Sequence, residues 1–247
     1  MNLLLVESHE ISPGGQVTLT DRRAEHLVKV LKVEPGKRLR VGLVGGSRGE
    51  GEVCAVSRGE VELRVDIPEG HPEPARHDLI VALPRPQALH RVLQSAATMG
   101  VGRLDLVAAW RVEKSFFSTP SLRPETVHRH LMLGAEQGMV TRLPEVGVHP
   151  RFLPFIETLS SREPTARLLA HPEATVALES VAPKPSERST LAIGPEGGWI
   201  DREVDTFLGV GFEAVHLGRW ILKVENAVTA MLAQLDLLHR LRTTGAW

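Results

Sequence analysis

The sequence predicts an α/β protein in two parts, a small β-rich N-terminal domain and a larger α/β domain with a largely parallel sheet. Three observations predict it. Short alternating runs bounded by glycine turns fill the first 67 residues, a proline-rich stretch follows, and beyond residue 77 apolar runs alternate with helical stripes. A chain of 247 residues suits one large or two modest domains and can bury a real core.

In the first part, residues 3–6, 16–19, 38–44, 51–56 and 61–67 read as strands, with Gly45-Gly46 and Arg58-Gly59 as turns. One helix interrupts them, starting near Thr20 or Asp21. Ala24, Leu27, Val28 and Leu31 give it an apolar face, and Pro35-Gly36 stops it. Residues 20–48 hold eight basic side chains (Arg22, Arg23, Lys29, Lys32, Lys37, Arg38, Arg40, Arg48) against Asp21, Glu25 and Glu34. Such a local patch suffices to meet phosphates although the chain's net charge is −1. On the residues alone, a solvated helix face followed by a hairpin is the plainer reading of it. Pro68-Glu69-Gly70-His71-Pro72-Glu73-Pro74 resists both helix and central strand and reads as the linker. The expected domains are 1–70 and 77–247.

In the second part, residues 79–83 form a continuous apolar strand. Leu89, Val92, Leu93, Ala96 and Ala97 then make a helical stripe ending at Gly100. A strand at 104–108 and a helix near 125–136 follow, with later strands at 167–170, 191–193 and 214–217. Asp201 is a candidate N-cap for a helix carrying Val204, Phe207 and Leu208. The last helix carries Val224, Ala227, Val228, Met231, Leu232, Leu235, Leu238 and Leu241 on one broad face.

Composition narrows the function classes. No apolar run reaches membrane-span length, and the N-terminus has no signal-peptide pattern. The single cysteine, Cys54, excludes an intramolecular disulfide and a cysteine metal cluster. The expectation is a cytoplasmic protein with no membrane partner and no metal.

Chemistry concentrates at Leu191-Ala192-Ile193-Gly194-Pro195-Glu196-Gly197-Gly198-Trp199, a buried strand that stops at glycines just before a helix. It is neither GxxxxGK[ST] nor GxGxxG, which disfavours a nucleoside triphosphate or a dinucleotide. Alone it equally suits a tight turn. A second strand, Val215-His216-Leu217-Gly218, runs into Arg219-Trp220-Ile221-Leu222-Lys223-Val224-Glu225-Asn226-Ala227. Together the two resemble the GPEGG and LGxxILRxETA motifs of the SPOUT RNA methyltransferases, and most of all the bacterial enzymes that make N3-methyluridine in small-subunit (16S) ribosomal RNA. Arg23–Lys32 resembles that family's N-terminal HhxxVLR signature, which belongs to a PUA-like barrel, a common RNA platform. Glu136-Gln137 and Arg142-Leu143-Pro144-Glu145-Val146 match its EQ…RxPEI pattern.

The resemblance implies a C-terminal domain with a trefoil knot over roughly 167–230. It implies S-adenosylmethionine as cofactor, 16S rRNA in the small subunit as partner, and a homodimer. Cofactor contacts are expected from Leu169 and His171 in the Leu-Ala-His-Pro loop. Ile193, Gly194, Pro195, Glu196, Gly197 and Gly198 supply more, as do Leu217, Gly218, Ile221, Leu222, Lys223 and Ala227. His171 packing on its proline is the plainer reading of that histidine. Uridine N3 is protonated at neutral pH, so a base or a cation is needed. Glu196 and Glu225 are base candidates, with Lys223 or Arg219 as cation, though Glu225 also suits a helix N-terminus. Arg22, Arg23, Lys29, Lys32, Arg91, Arg142 and Arg219 are the RNA-contact candidates.

Departures fall mainly on the uridine side. Trp220 and Lys223 stand where the family usually has Arg. Pro86-Gln87-Ala88-Leu89-His90-Arg91 lacks the Lys and Glu of its GEKME-type segment, and Ser95 and Thr98 replace a Lys and a Glu. Two other readings stay open: a non-catalytic RNA-binding or ribosome-assembly protein that keeps the fold, and a SPOUT enzyme acting on another RNA.

Overall fold

The computed structural model describes residues 2–162, 165–181 and 188–243. The chain divides into two units, Met1–Glu73 with Ala135–Leu143, and Pro74–Gly134 with Pro144–Trp247.

In the first unit, alternation of buried and exposed side chains builds one five-stranded sheet. Its elements are β1 (Leu4–Val6), β2 (Gln16–Leu19), α1 (Arg22–Lys29), β3 (Arg38–Leu43), β4 (Arg48–Ser57) and β5 (Glu60–Asp66). The strand order is β1-β3-β4-β5-β2, so β1 and β2 are the two edges. Only β1 and β3 run parallel; the other pairs are antiparallel. A bulge between Val53 and Ala55 leaves Cys54 exposed. Val17, Leu19, Val41, Val53, Val61 and Leu63 meet Ala24 and Leu27 of α1 in one core. Asp21 caps α1 by accepting from the Arg23 backbone N–H at 2.8 Å.

α1 ends earlier than expected. The Leu31 N–H turns back to the His26 carbonyl, and Lys32 adopts the left-handed region (φ 48°). Leu31, expected on the apolar face, is therefore 44% exposed. The return of residues 135–143 to this unit is not foreseeable from periodicity. It is held by Glu136, 2% exposed, which takes both guanidinium nitrogens of Arg22 at 2.8 and 3.0 Å. The Glu136 carbonyl also accepts from the Leu3 N–H at 3.1 Å.

The second unit is a seven-stranded sheet with helices. It comprises β6 (His77–Ala82), α2 (Pro86–Thr98), β7 (Arg103–Val107), α3 (Pro124–Gly138, whose last turn belongs to the first unit), β8 (Glu145–His149) and α4 (Phe152–Leu159). There follow β9 (Ala166–Ala170), β10 (Val176–Ala177), α5 (Leu178–Val181), β11 (Ser189–Ile193), α6 (Asp201–Gly209), β12 (Glu213–His216) and α7 (Val224–Thr243). The order is β10-β12-β9-β11-β6-β7-β8, and every pair is parallel. β6 and β11 are central and buried on both faces, which is why they read as unbroken apolar runs. The α2 stripe is buried as its spacing requires and packs against α7. Asp201 is the first residue of α6 rather than its N-cap. Ile200 takes that place, and its N–H donates to Glu203 at 3.0 Å. No helix among the described residues is long and apolar enough to cross a membrane.

One buried group sets a pH limit. His77 on β6 is 7% exposed, with Nδ1 2.7 Å from the Ser189 hydroxyl. Burial pushes its pKa down to about 4, against a partial upward pull from Asp236, while His239 and Arg76 add to the fall. The unfolded chain, with His near 6.5, binds that proton more readily. Its contribution is therefore present above about pH 6.5 and lost as pH falls toward 4, roughly 3 kcal/mol at most. Thermal unfolding between pH 7 and 4.5 should show a falling midpoint. The fall should be shallower in His77→Phe, and equal slopes would contradict this origin.

Candidate active site

Parallel strands end their carbonyl-rich C-termini on one edge, and three of them lie in register here. Ala170 of β9 pairs with Ile193 of β11 on one side and Val215 of β12 on the other. The loops after them converge on one cleft, where parallel α/β sheets hold ligands. Its wall is Ala170–Pro172, then Ile193–Glu196 with Gly198 and Trp199, then Val215–Gly218, Trp220–Leu222, and the α7 residues Val224, Ala227 and Met231. The enclosed part measures about 140 Å³.

Bare backbone is what makes this wall. A Cβ on Gly194 would lie 3.1 Å from the Trp199 ring and 3.2 Å from its backbone nitrogen. Gly218 has φ +110°, which a side chain rarely tolerates, and its N–H donates to the His216 imidazole at 2.9 Å. Trp199 anchors the Gly194–Gly198 loop. It is 4% exposed, and its ring contacts Phe207 edge-on at 5.1 Å. Its ring N–H is buried with no partner among the described residues. Arg111 donates to the Gly197 carbonyl, and the Arg85 N–H donates to Glu196 at 3.3 Å.

Most of the expected cofactor residues line the cleft, and three do not. Leu169 is wholly buried in the core of the sheet, one residue short of the strand end. The Gly197 carbonyl belongs to Arg111, and a Cβ there would meet the flexible Arg111 side chain at 3.0 Å. Lys223 is exposed, and its carbonyl accepts from the Asn226 and Ala227 N–H groups at the start of α7. Trp199, His216 and Met231 join the wall without having been expected there. The strand-to-helix pattern marks Trp199 only as a boundary, and Met231 lies two turns into a helix.

The charged candidates separate. Glu196 is exposed in the cleft wall. Glu225, 13% exposed, accepts from Arg91 at 3.1 Å, so the arginine of the altered segment is tied to a carboxylate. Arg219 lies over the Trp220 ring at 4.4 Å. His171 Nδ1 accepts weakly from the Glu173 N–H at 3.3 Å and lines the cleft.

In the first unit Arg23 differs most from expectation. It is 7% exposed and bonded to Glu10, Asp21 and the Leu5 carbonyl, so it is a structural cation and not a free phosphate contact. Arg22 serves Glu136. Lys29 pairs with Glu25 in solvent, where such pairs are weak. Lys32 is exposed with no partner among the described residues. Arg142 donates to the Glu73 carbonyl at 3.3 Å.

A second cavity, of about 700 Å³, opens at the ends of β7 and β8 beside Ile200. It is larger, but it lacks the glycines that line the strand ends of the smaller cleft. Among the described residues, no three His, Cys, Asp or Glu side chains are placed to hold a metal.

Comparison with known proteins fits this geometry. The "Ribosomal RNA small subunit methyltransferase E" of Treponema pallidum is 27% identical over 240 residues, covering 94% of this chain and 90% of its own. The protein of the same name from Synechocystis is 27% identical over 237 residues, covering 95% and 77%. A ribosomal RNA small subunit methyltransferase E from Neisseria gonorrhoeae, crystallised with S-adenosyl methionine, superposes with a TM-score of 0.77. It is 22% identical and covers 96% of this chain and 98% of its own, a likeness of fold. The family model for the RNA methyltransferase domain matches residues 71–236, which hold both the parallel sheet and the glycine-lined cleft, and the chain therefore belongs to the RNA methyltransferase family.

Proposed function

We propose that the protein transfers the methyl group of S-adenosylmethionine to N3 of a uridine in 16S rRNA, acting on the small ribosomal subunit in the cytoplasm. The observation that carries this reading is the cleft at the ends of β9, β11 and β12, where glycine backbone replaces side chains. The residues present fit the cofactor. Ile193, Leu217 and Leu222 offer apolar surface to an adenine, and bare backbone polar groups recognise its edges. When bound, S-adenosylmethionine supplies an activated methyl, and the protein supplies position and electrostatics.

Uridine N3 carries a proton that has to leave during transfer. Glu196, exposed in the cleft wall, receives it. Lys223, between the lining residues Leu222 and Val224, offsets the negative charge developing on the base. Glu225 is held by Arg91 and orients the start of α7. The first unit is read as a PUA-like RNA platform, with Lys32 and Lys29 among its exposed cations, and the loops of the cleft as part of a trefoil knot. Residues 1–70 and 77–247 remain the proposed domains, with residues 135–143 returning to the first.

A homodimer belongs to this reading. Leu235 and Leu238 of α7 are buried within the subunit, and Leu237 is exposed. Trp220 and Ile221, exposed at 71% and 84%, are the larger exposed apolar surface, at the rim of the cleft wall. Sedimentation at micromolar concentration should give a dimer for the wild type and a monomer for Ile221→Glu. A monomeric wild type with full activity would contradict it.

The function itself is tested with methyl-labelled S-adenosylmethionine. Calorimetry should show binding to the full chain, and label should enter the RNA of isolated small subunits. Cofactor binding without any transfer would favour a non-catalytic assembly role, and failure of both would overturn the proposal.

A further inference from the structure

The 700 Å³ cavity at the ends of β7 and β8 shares no lining residue with the glycine-lined cleft, yet its construction is unusual for an idle surface. Trp110, in the loop after β7, is 81% exposed. Its backbone is nevertheless fixed. The Trp110 N–H donates to the buried Glu203 carboxylate at 2.7 Å, and the neighbouring Arg111 is tied to the Gly197 carbonyl. A rigid backbone thus presents a whole indole to solvent. Phe117 and Leu153, the latter 52% exposed, continue the apolar wall.

The charge is one-sided. Lys114 and Arg202 stand in the wall, and neither has an ion-pair partner among the described residues. Among the described residues Glu203 is the only acid lining it, and its oxygens are taken by the Trp110 and Ile200 N–H groups. An aromatic face, apolar walls and two uncommitted cations are the combination that recognises an unpaired nucleotide, base by stacking and phosphate by charge. The volume lies within the range of small-ligand sites. The cavity also adjoins the cofactor cleft: Ile200 lines the one and Trp199 the other.

We propose that this cavity holds an unpaired nucleotide flanking the methylated one on the substrate strand, its base stacked on Trp110 and its phosphates met by Lys114 and Arg202. The proposal rests on the reading of the protein as an RNA methyltransferase acting at the neighbouring cleft. Specificity for the surrounding strand would then come partly from the catalytic unit itself.

The test uses the full chain, a short single-stranded RNA oligonucleotide, and isolated small subunits. Binding is read by tryptophan quenching and by anisotropy of labelled RNA. Trp110→Leu should weaken oligonucleotide binding at least about fivefold and remove much of the quench. Lys114→Gln with Arg202→Gln should lower the slope of log affinity against log salt by about 0.7 for each phosphate that is no longer neutralised. Cofactor affinity should stay within about twofold in both variants. Unchanged oligonucleotide affinity in both, or no binding by the wild type, would overturn the proposal. So would a Trp110→Leu variant that dissociates from dimer to monomer while keeping its RNA affinity, since a second copy of the chain would then be the occupant. If the wild type binds the oligonucleotide through Trp110 but transfers no methyl to small subunits, the proposed reaction fails while the site stands.

Discussion

Replacing Gly194 with Val should weaken S-adenosylmethionine binding by roughly 5- to 150-fold, the equivalent of about 1–3 kcal/mol of overpacking. The contact is immediate. A Cβ would lie 3.1 Å from the Trp199 ring and 3.2 Å from its backbone nitrogen, and Trp199 is locked against Phe207 and Phe152. The ring cannot retreat into that cluster, so the valine methyls push the loop toward the cleft. Gly197→Val is the internal comparison. The three atoms nearest its Cβ all belong to the Arg111 side chain, which can move, so its effect should be clearly smaller. Calorimetry on both variants, with circular dichroism to show retained structure, decides the matter. Equal affinities for Gly194→Val and wild type would remove Gly194 from the cofactor wall.

The largest stability effect is expected at Asp105. This carboxylate lies in the middle of β7 at 1% exposure. It accepts from Arg162 at 2.5 Å, from His149 at 2.7 Å and from Arg103 at 3.1 Å. Burial pushes its pKa up, but the hydrogen bond and charge of Arg162, with the bonds from His149 and Arg103, outweigh that and hold it below the usual carboxylate range. Asp105→Ala leaves two guanidinium groups facing an empty site. The expected loss is about 3 kcal/mol, the lower end for a broken buried pair, because both arginines keep some contact with water. Denaturant unfolding followed by far-UV signal measures it, and a loss below about 1 kcal/mol would mean that the network is ornamental. A depressed folded pKa gives stability that is present above the unfolded value, near 3.9, and disappears as pH falls below it. The wild type should therefore lose an acid-labile contribution that the variant never had.

Several elements were legible because one physical signal dominated each. Residues 79–83 are apolar without a break because β6 is central and covered on both faces. The α2 stripe follows the helical period because one face is buried against α7. β8 and α4 escaped notice for equally specific reasons. β8 is one of the sheet's two edge strands, short and half polar, with Gly147 at its centre. α4 contains Pro154, which reads as a helix breaker but sits in the first turn, where the missing N–H has no partner to lose.

The site was legible where backbone carries it and obscure where pairing does. Glycines at strand ends mark the cleft directly, since the sequence states where no side chain stands. Which cation faces which anion depends on contacts across distant segments. Arg23 has the pattern of a surface charge, yet Glu10 and Asp21 enclose it. Arg91 has the pattern of a free contact, yet Glu225, 134 residues away, takes it. Leu169 and Ala170 differ by one step along β9, and that step separates the core from the cleft.

Methylation of a base nitrogen on its pairing edge is tested by locating the modified atom. Small subunits lacking the modification would be incubated with the protein and S-adenosylmethionine, and their 16S rRNA digested to nucleosides for mass spectrometry, with primer extension on the intact RNA. One new N3-methyluridine and a reverse-transcription stop at a single uridine are expected, because a methyl at N3 blocks base pairing. A methyl on ribose, with read-through at every position, would contradict it.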